Sequence, residues 1–244
     1  MFKLIRKIFF DRFSQYEKEY GYIKLRNGYC RVYNNIVQGF ELFKEPRSPL
    51  ITIRWAVYPL CQPNANFYRD FYQSYDINDI VNEKNLDIFY EKQNKDSIVK
   101  CAETLYQKID TILLPFFNGM HRTEEAYSAC KQLDLKSGDD FPTDEKIFFC
   151  LKLKSYDLAL GYVNKLIENN EMAYKMNAQY FTEKEMKEMR ETRKDRDCAL
   201  QELANFIQNH DEKSMQNMLE TNEKNAMRFF EQKCQKGKGR YARG

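Results

Sequence analysis

The segment YIKLRNGYCRVYNNIVQGFELFK, from Tyr22 to Lys44, decides the fold because it holds strand-like runs separated by turn residues. Asn27-Gly28 between two such runs is the strongest short-range hairpin signal, since both central residues of a type I′ turn need a positive φ. Asn34-Asn35 provides a second turn before the next run. The segment therefore predicts three antiparallel strands, with Gly39 marking a β-bulge in the third.

A two-residue loop at Asn27-Gly28 fixes the strand pairing, with Leu25 opposite Cys30 and Lys24 opposite Arg31. Strand alternation then divides the side chains between two faces. The apolar face is expected to pack on the first helix and carries Ile23, Leu25, Cys30 and Val32. The other face is aromatic and basic and carries Tyr22, Lys24, Arg26, Tyr29, Arg31 and Tyr33.

The aromatic and basic face is the candidate partner-binding site. Its predicted residues are Tyr29, Arg31 and Tyr33 from the hairpin and Arg54 from the next strand, LITIRWAVYPL. Like charges directly opposite each other are unfavourable by a few tenths to ~1 kcal/mol, so the Lys24–Arg31 pair favours an anionic neighbour. Two alternatives stay open. A partner supplies the anion and the four side chains remain partly exposed, or an acidic helix of the same chain covers the face and the tyrosines belong to the core.

The periodicity of the flanking sequence sets the fold class. Residues 2–19 place apolar side chains at helical spacing, and helical patterns also dominate after about residue 97. The prediction is an α+β fold, with an N-terminal antiparallel four-strand sheet and packed helices followed by an α-helical subdomain. The predicted divisions are 1–135 for the first domain, 141–235 for the helical subdomain, and 236–244 for a disordered basic tail.

Three local signals refine the helical part. Pro115 is expected to bend or end the helix that starts near residue 97. An αα-hairpin is predicted around Ser155. Thr182 and Glu185 have the spacing of a capping box at the start of a long helix, whose N-terminal half has few apolar residues and is expected to project along the surface.

Composition indicates a globular chain. The 244 residues are 43% apolar and 15% aromatic, which is enough for a substantial core. No run approaches ~18 apolar residues and charges interrupt the N-terminal segment, so we expect a cytoplasmic protein with no membrane partner. The seven cysteines are widely spaced and never form a CxxC pair, which predicts free thiols rather than disulfides or a zinc site.

Charge is distributed unevenly along the chain. Residues 1–60 contain 11 basic and 5 acidic residues, and residues 233–244 contain 5 basic and no acidic residues. The segment between them carries the acidic excess. The basic ends therefore either attract the acidic middle within the fold or face an anionic partner.

The inventory of reactive groups predicts no enzyme, no cofactor and no metal. The two histidines, His121 and His210, are about ninety positions apart, so a histidine metal site needs an improbable convergence. In HRTEE, from His121 to Glu125, the two glutamates fit the first turn of a helix better than an acid-base pair. Cys130 has no companion histidine and is expected to be a buried thiol.

The order of elements adds a family resemblance. A helix, the hairpin with NGYCRVYNNIVQGFELFK, a fourth strand, then ILLPFFNGM and EEAYSACKQL resembles an uncharacterised bacterial domain-of-unknown-function family with a helix, four-strand sheet, helix plan. The resemblance covers about residues 1–134. It implies an interaction or toxin-immunity role and carries over no functional residue.

The function expected from these observations is non-enzymatic binding, as a bacterial immunity or adaptor protein whose partner is another protein. The alternative is a nucleic-acid-associated protein, in which the tyrosines stack on bases and the basic tail contacts phosphates. Dependence of binding on salt separates the two hypotheses.

Overall fold

The structure is a computed structural model. It describes residues 2–44, 47–63, 75–81, 88–89, 94–137 and 142–241. The predicted aromatic loop at residues 64–74 lies outside this description, as do residues 138–141 of the predicted boundary between subdomains.

The chain begins with one helix and a sheet and continues as helices. The first part contains α1 (Phe2–Glu19), β1 (Ile23–Lys24), β2 (Gly28–Tyr33), β3 (Ile36–Lys44), β4 (Leu50–Pro59), β5 (Tyr75–Asp76), α2 (Ile77–Val81) and β6 (Ile88–Phe89). The second part contains α3 (Lys95–Lys108), a π-helical turn (Ile109–Leu113), α4 (Leu114–Asn118), α5 (Thr123–Ser137), α6 (Asp144–Lys152), α7 (Tyr156–Asn177), α8 (Glu183–Gln208) and α9 (Glu212–Tyr241). The predicted α+β class is confirmed.

The sheet is antiparallel, with β1 to β5 in sequence order and β6 also paired to β4. Its four principal strands are those that the sequence predicted, and β5 and β6 add two short pairings along the outer edge of β4. The pairing of β3 with β2 and β4 is regular through Gly39, which lies opposite Cys30 on one side and Ala56 on the other. The predicted bulge at Gly39 is therefore wrong.

The first turn of the hairpin differs from its prediction. Ile23 pairs with Cys30 and Lys24 with Tyr29, so Arg26 and Asn27 form the connection, and neither has a positive φ. Gly28 is instead the first residue of β2, where an added Cβ would overlap the carbonyl oxygen of Phe40. The Asn-Gly pair thus provides room for close backbone approach rather than a type I′ turn.

The second turn has the geometry predicted for the first. Asn34 and Asn35 have φ angles of 49° and 63°, and the flanking residues Tyr33 and Ile36 pair directly. Asparagine tolerates this left-handed conformation better than most residues, so the two asparagines join β2 to β3 in a two-residue loop.

The face of the sheet that carries Tyr29 and Trp55 packs on α1. Ring contacts join Phe10 to Tyr29 at 5.3 Å and Phe13 to Phe40 at 5.3 Å between centroids. The prediction that the small apolar face meets the first helix is therefore wrong. Large aromatic side chains bury more apolar area than Cys30 or Val32, which favours the aromatic face as the main core.

The opposite, small apolar face packs on the C-terminal helix. Cys30, Val37 and Tyr58 form a buried cluster with Ala226 and Phe230 of α9. Both faces of the sheet are thus covered over part of their area, which is why neither face carries only polar side chains.

The helical part matches some of the local predictions and differs from others. Pro115 does not end the helix, because α3, the π-helical turn and α4 follow one another without a break from Lys95 to Asn118. The π-helical turn directly before Pro115 is the local adjustment that accommodates a residue without an N–H. The αα-hairpin is formed by α6 and α7, joined through residues 153–155. The helix α9 continues to Tyr241, so the backbone of residues 236–241 is helical where the sequence predicted disorder. Lysine and arginine are good helix formers and extend a helix that packing has already nucleated.

Candidate functional site

Tyr29 belongs to the core. It is 0% exposed, and its hydroxyl donates a hydrogen bond to Glu17 Oε1 at 2.9 Å. Its ring lies 4.5 Å from that of Phe13. The expectation that Tyr29 stays partly exposed is wrong, because β1 and β2 present their aromatic face to α1.

Arg31 is also buried, with 5% of its surface exposed. Its Nε donates to Gln38 Oε1 at 2.8 Å, and its Nη2 donates to Asn118 Oδ1 at 2.8 Å. The guanidinium carbon lies 5.0 Å from the ring centre of Tyr22 and 5.1 Å from that of Tyr33. The predicted like-charge pair with Lys24 does not form, since Lys24 pairs with Tyr29.

Tyr33 is half-buried at the end of β2. Its hydroxyl lies 3.2 Å from His121 Nδ1, and Asn34 Nδ2 donates to the carbonyl oxygen of His121 at 2.9 Å. His121 thus joins the second turn of the sheet to the start of α5, while its ring remains at the surface.

The HRTEE segment forms a helix start, as predicted. The carboxylate of Glu125 accepts hydrogen bonds from the backbone N–H groups of His121 and Arg122, at 2.7 and 3.0 Å. The bond from His121 is the main cause that lowers the pKa of Glu125 below its usual value. Glu125 therefore serves as a cap for α5 rather than as an acid or base.

Arg54 lies on the opposite face of the sheet from the other three predicted residues. It is opposite Glu41 of β3 and Asp76 of β5, and its guanidinium carbon lies 3.3 Å from the ring centre of Phe43. Burial raises the pKa of Glu41, and the positive charge of Arg54 opposes that shift. The four predicted residues therefore do not form one site, because the register of β4 turns Arg54 away from the other three.

Large apolar side chains are exposed where α7 and α8 meet. These side chains, which we call the arm tip, are Met172 (59% exposed), Met176 (58%), Tyr180 (81%) and Phe181 (44%). The sequence predicted that the N-terminal half of α8 projects along the surface, and most of its residues are exposed. The arm tip itself was missed. The sequence signal for it is the run YKMNAQYF (residues 174–181), in which apolar residues continue up to the turn. The first half of α8 has no stripe of apolar residues that matches this run.

Polar contacts between α7 and α8 hold the arm below its tip. Asp197 accepts hydrogen bonds from Asn170 Nδ2 at 3.0 Å and from the Tyr174 hydroxyl at 2.8 Å. The predicted capping box is present, since Thr182 and Glu185 bond to each other's backbone N–H groups. Met172 and Met176 of the arm tip lie on α7, and Tyr180 and Phe181 lie in the turn to α8, where their backbone N–H groups donate to the carbonyl oxygen of Asn177. These contacts hold the arm tip between two capped helices.

A shallow open groove of about 460 Å³ lies between α9 and the second turn of the sheet. Its charged lining residues are Glu220, Glu223, Lys224, Arg228 and Glu231. Glu223 is already paired with Lys152 at 2.6 Å. The mixed and partly satisfied charges favour no particular ligand.

Three further findings concern site chemistry. Among the described residues, no three His, Cys, Asp or Glu side chains are grouped so that they could hold a metal ion. Within the same part of the chain, no helix is both long enough and apolar enough to cross a membrane. The six cysteines whose side chains are described are free thiols, five of them buried, as the sequence predicted.

Comparison of the chain with protein-family models, curated proteins and solved structures finds no match.

Proposed function

We propose that this chain is a non-enzymatic, cytoplasmic adaptor that binds another protein through the arm tip. The observation that carries the proposal is the exposure of two methionines, a tyrosine and a phenylalanine at the end of an ordered two-helix arm. Isolated exposed apolar residues are ordinary, but several at one tip indicate an interaction surface.

The composition of the arm tip suits protein recognition. Tyrosine, phenylalanine and methionine are enriched in protein interfaces, and tyrosine is among the residues that most often dominate binding energy. Methionine is flexible and adapts to an irregular partner surface. Because the helices are already ordered, binding loses little backbone entropy.

The first half of α8 supplies a polar rim next to the tip. Residues 183–197 contain 6 acidic and 6 basic side chains, mostly exposed. Alternating charge around an apolar centre gives specificity and orientation more than affinity. This arrangement favours a partner with its own apolar pocket and mixed charges.

The sheet face supports the proposed function less than the sequence indicated. Tyr29 and Arg31 are buried, so the face offers no open tyrosine platform for stacking bases. That weakens the nucleic-acid alternative. The side chains of the basic segment 233–244 lie outside the described residues. The family resemblance implies an immunity role. Identification of a toxin as the partner would establish this specific form of adaptor.

Site-specific photocrosslinking tests the proposal. A photoreactive phenylalanine analogue at position 180 should give a discrete adduct with a partner protein in cells. The same analogue at Leu158, which is 40% exposed near the start of α7, should not. Equal labelling from both positions would contradict the proposal.

The affinity of the chain for the partner found by crosslinking can then be measured. The double variant Tyr180→Ala with Phe181→Ala should weaken binding about 30-fold or more, which corresponds to ~2 kcal/mol. The control Leu158→Ala should bind like the unmodified chain. Both variants should unfold within ~0.5 kcal/mol of the unmodified chain, because exposed side chains contribute little to stability.

A further inference from the structure

The guanidinium of Arg31 is a buried positive charge whose hydrogen-bond partners are all neutral. A guanidinium has five N–H donors, and the two bonds that it makes go to the amide oxygens of Gln38 and Asn118. The rings of Tyr22 and Tyr33 complete its surroundings. Among the described residues, none of the carboxylates forms an ion pair with Arg31.

Three carboxylates of α1 and the π-helical turn are engaged by tyrosines. Glu17 accepts a hydrogen bond from Tyr29, and Asp110 accepts one from Tyr16. Glu19 bonds to the hydroxyl of Tyr20 and is the main cause that raises the pKa of that tyrosine. Each of these carboxylates accepts a hydrogen bond from a tyrosine, and among the described residues none of them bonds to the guanidinium.

A buried charge without an opposite charge is unfavourable, and buried charges in proteins are normally paired. Contacts with tyrosine faces and amide oxygens compensate only in part. The arrangement favours an anion as the missing partner of Arg31.

The guanidinium lies close to the surface, so a small ligand can reach it. Asn118, which it contacts, is exposed, Tyr20 is 42% exposed and Tyr33 is half-buried. The positive charge of Arg31 lowers the pKa of Tyr20, although other causes raise it by more. The effect of Arg31 indicates that the Tyr20 hydroxyl is near its guanidinium.

Tyr22 provides a second, independent indication. It is 3% exposed, its ring lies beside the guanidinium, and its hydroxyl has no hydrogen-bond partner in the described structure. A buried hydroxyl without a partner is unfavourable, and hydroxyls and arginine together are typical oxyanion ligands.

We infer that Arg31 is the anchor of a small oxyanion site, for a phosphate or a carboxylate group, which is completed by Asn118 and the neighbouring tyrosines. The site is separate from the arm tip and does not depend on the function proposed for it.

Thermal unfolding at constant ionic strength and pH 7 tests the site, with sodium chloride as the reference and inorganic phosphate or acetate as the probe. The melting temperature of the unmodified chain should rise and then saturate with at least one probe, because the anion binds the folded state only. The responding probe identifies the class of oxyanion. A non-saturating rise reflects general salt exclusion from the protein surface and would overturn the site. No rise with either probe would overturn it too.

Two variants and one control assign the response. Asn118→Asp places a carboxylate where an amide oxygen now accepts from Nη2, so it should raise the melting temperature in chloride and abolish the response to phosphate or acetate. Arg31→Met should also abolish the response. Arg54→Met, on the opposite face of the sheet, should keep it. Because Asn118 is exposed, its variant tests the site even if Arg31→Met fails to fold. An unchanged response in Asn118→Asp, or a lost response in Arg54→Met, would contradict the assignment.

Discussion

The aromatic side chains of the sheet and those of the arm have the same chemistry but opposite surroundings. Tyr29 is fully buried beneath α1, whereas Tyr180 is 81% exposed in the turn that follows α7. In the sheet, the ring of Tyr29 contacts those of Phe10 and Phe13, and its hydroxyl donates to Glu17. In the arm, the helices satisfy their own backbone and leave the apolar side chains uncovered. Aromatic residues therefore indicate a binding surface only where the fold leaves them open.

The largest expected difference between the two regions is in stability. Tyr29→Ala removes a ring packed against Phe10 and Phe13 and leaves the Glu17 carboxylate without its donor. The free energy of unfolding, measured by urea denaturation, should fall by about 3–5 kcal/mol. Tyr180→Ala should change it by less than ~0.5 kcal/mol. Similar losses in both variants would remove the distinction between core and arm tip.

Two glycines sharpen the same comparison at the level of the backbone. Gly28→Ala should destabilise the chain by about 1–3 kcal/mol, since a Cβ there overlaps the Phe40 carbonyl group across the sheet. In the arm helix α7, Gly161 has no atom within 4 Å of an added Cβ, so Gly161→Ala should stabilise by about 0.5–1 kcal/mol. In the same urea assay, the two substitutions should change the free energy of unfolding in opposite directions. A neutral Gly28→Ala would show that β2 and β3 are farther apart than described.

The register of the hairpin shows how far the sequence predicts this fold. Alternation correctly separated Ile23 and Cys30 from Tyr29 and Arg31, because a shift of register by two residues leaves side chains on the same faces. It did not predict which face meets α1. That choice depends on α1 and α9 competing for the two faces, and it is decided by packing between elements that are far apart in sequence.

The candidate site was predicted only in part for related reasons. Arg54 was assigned to the wrong face because a strand's own alternation does not reveal its register with its neighbour. Short-range signals were more reliable. The capping box of Thr182 and Glu185 and the first-turn role of Glu125 follow from contacts within one helical turn, and both are present. Exposure of the arm tip depends on whether an element distant in sequence covers it, which no local pattern encodes.

The smallest expected effect concerns the capping box at the base of the arm tip. Hydrogen bonds from the Thr182 backbone and side chain lower the pKa of Glu185. The contribution of Glu185 to the stability of the folded chain is therefore fully present above the ordinary pKa of a glutamate. It is lost as the pH falls through the lowered pKa of Glu185 in the folded state. The backbone amide signal of Thr182 in NMR spectra should shift over that acidic range. In Glu185→Gln it should stay constant, and a shift that persists in this variant would assign the titration to another group.

The most direct test of the central claim is hydroxyl-radical footprinting of the folded chain. The chain is footprinted first alone and then in complex with the partner that crosslinking identifies. Mass spectrometry should find rapid oxidation of Met172, Met176 and Tyr180 and slow oxidation of Tyr29 in the free chain, because the first three are exposed and Tyr29 is not. Partner binding should protect the arm tip and leave Met227, which is 39% exposed on α9, unchanged. Slow oxidation of the arm tip in the free chain, or its full oxidation in the complex, would contradict the account.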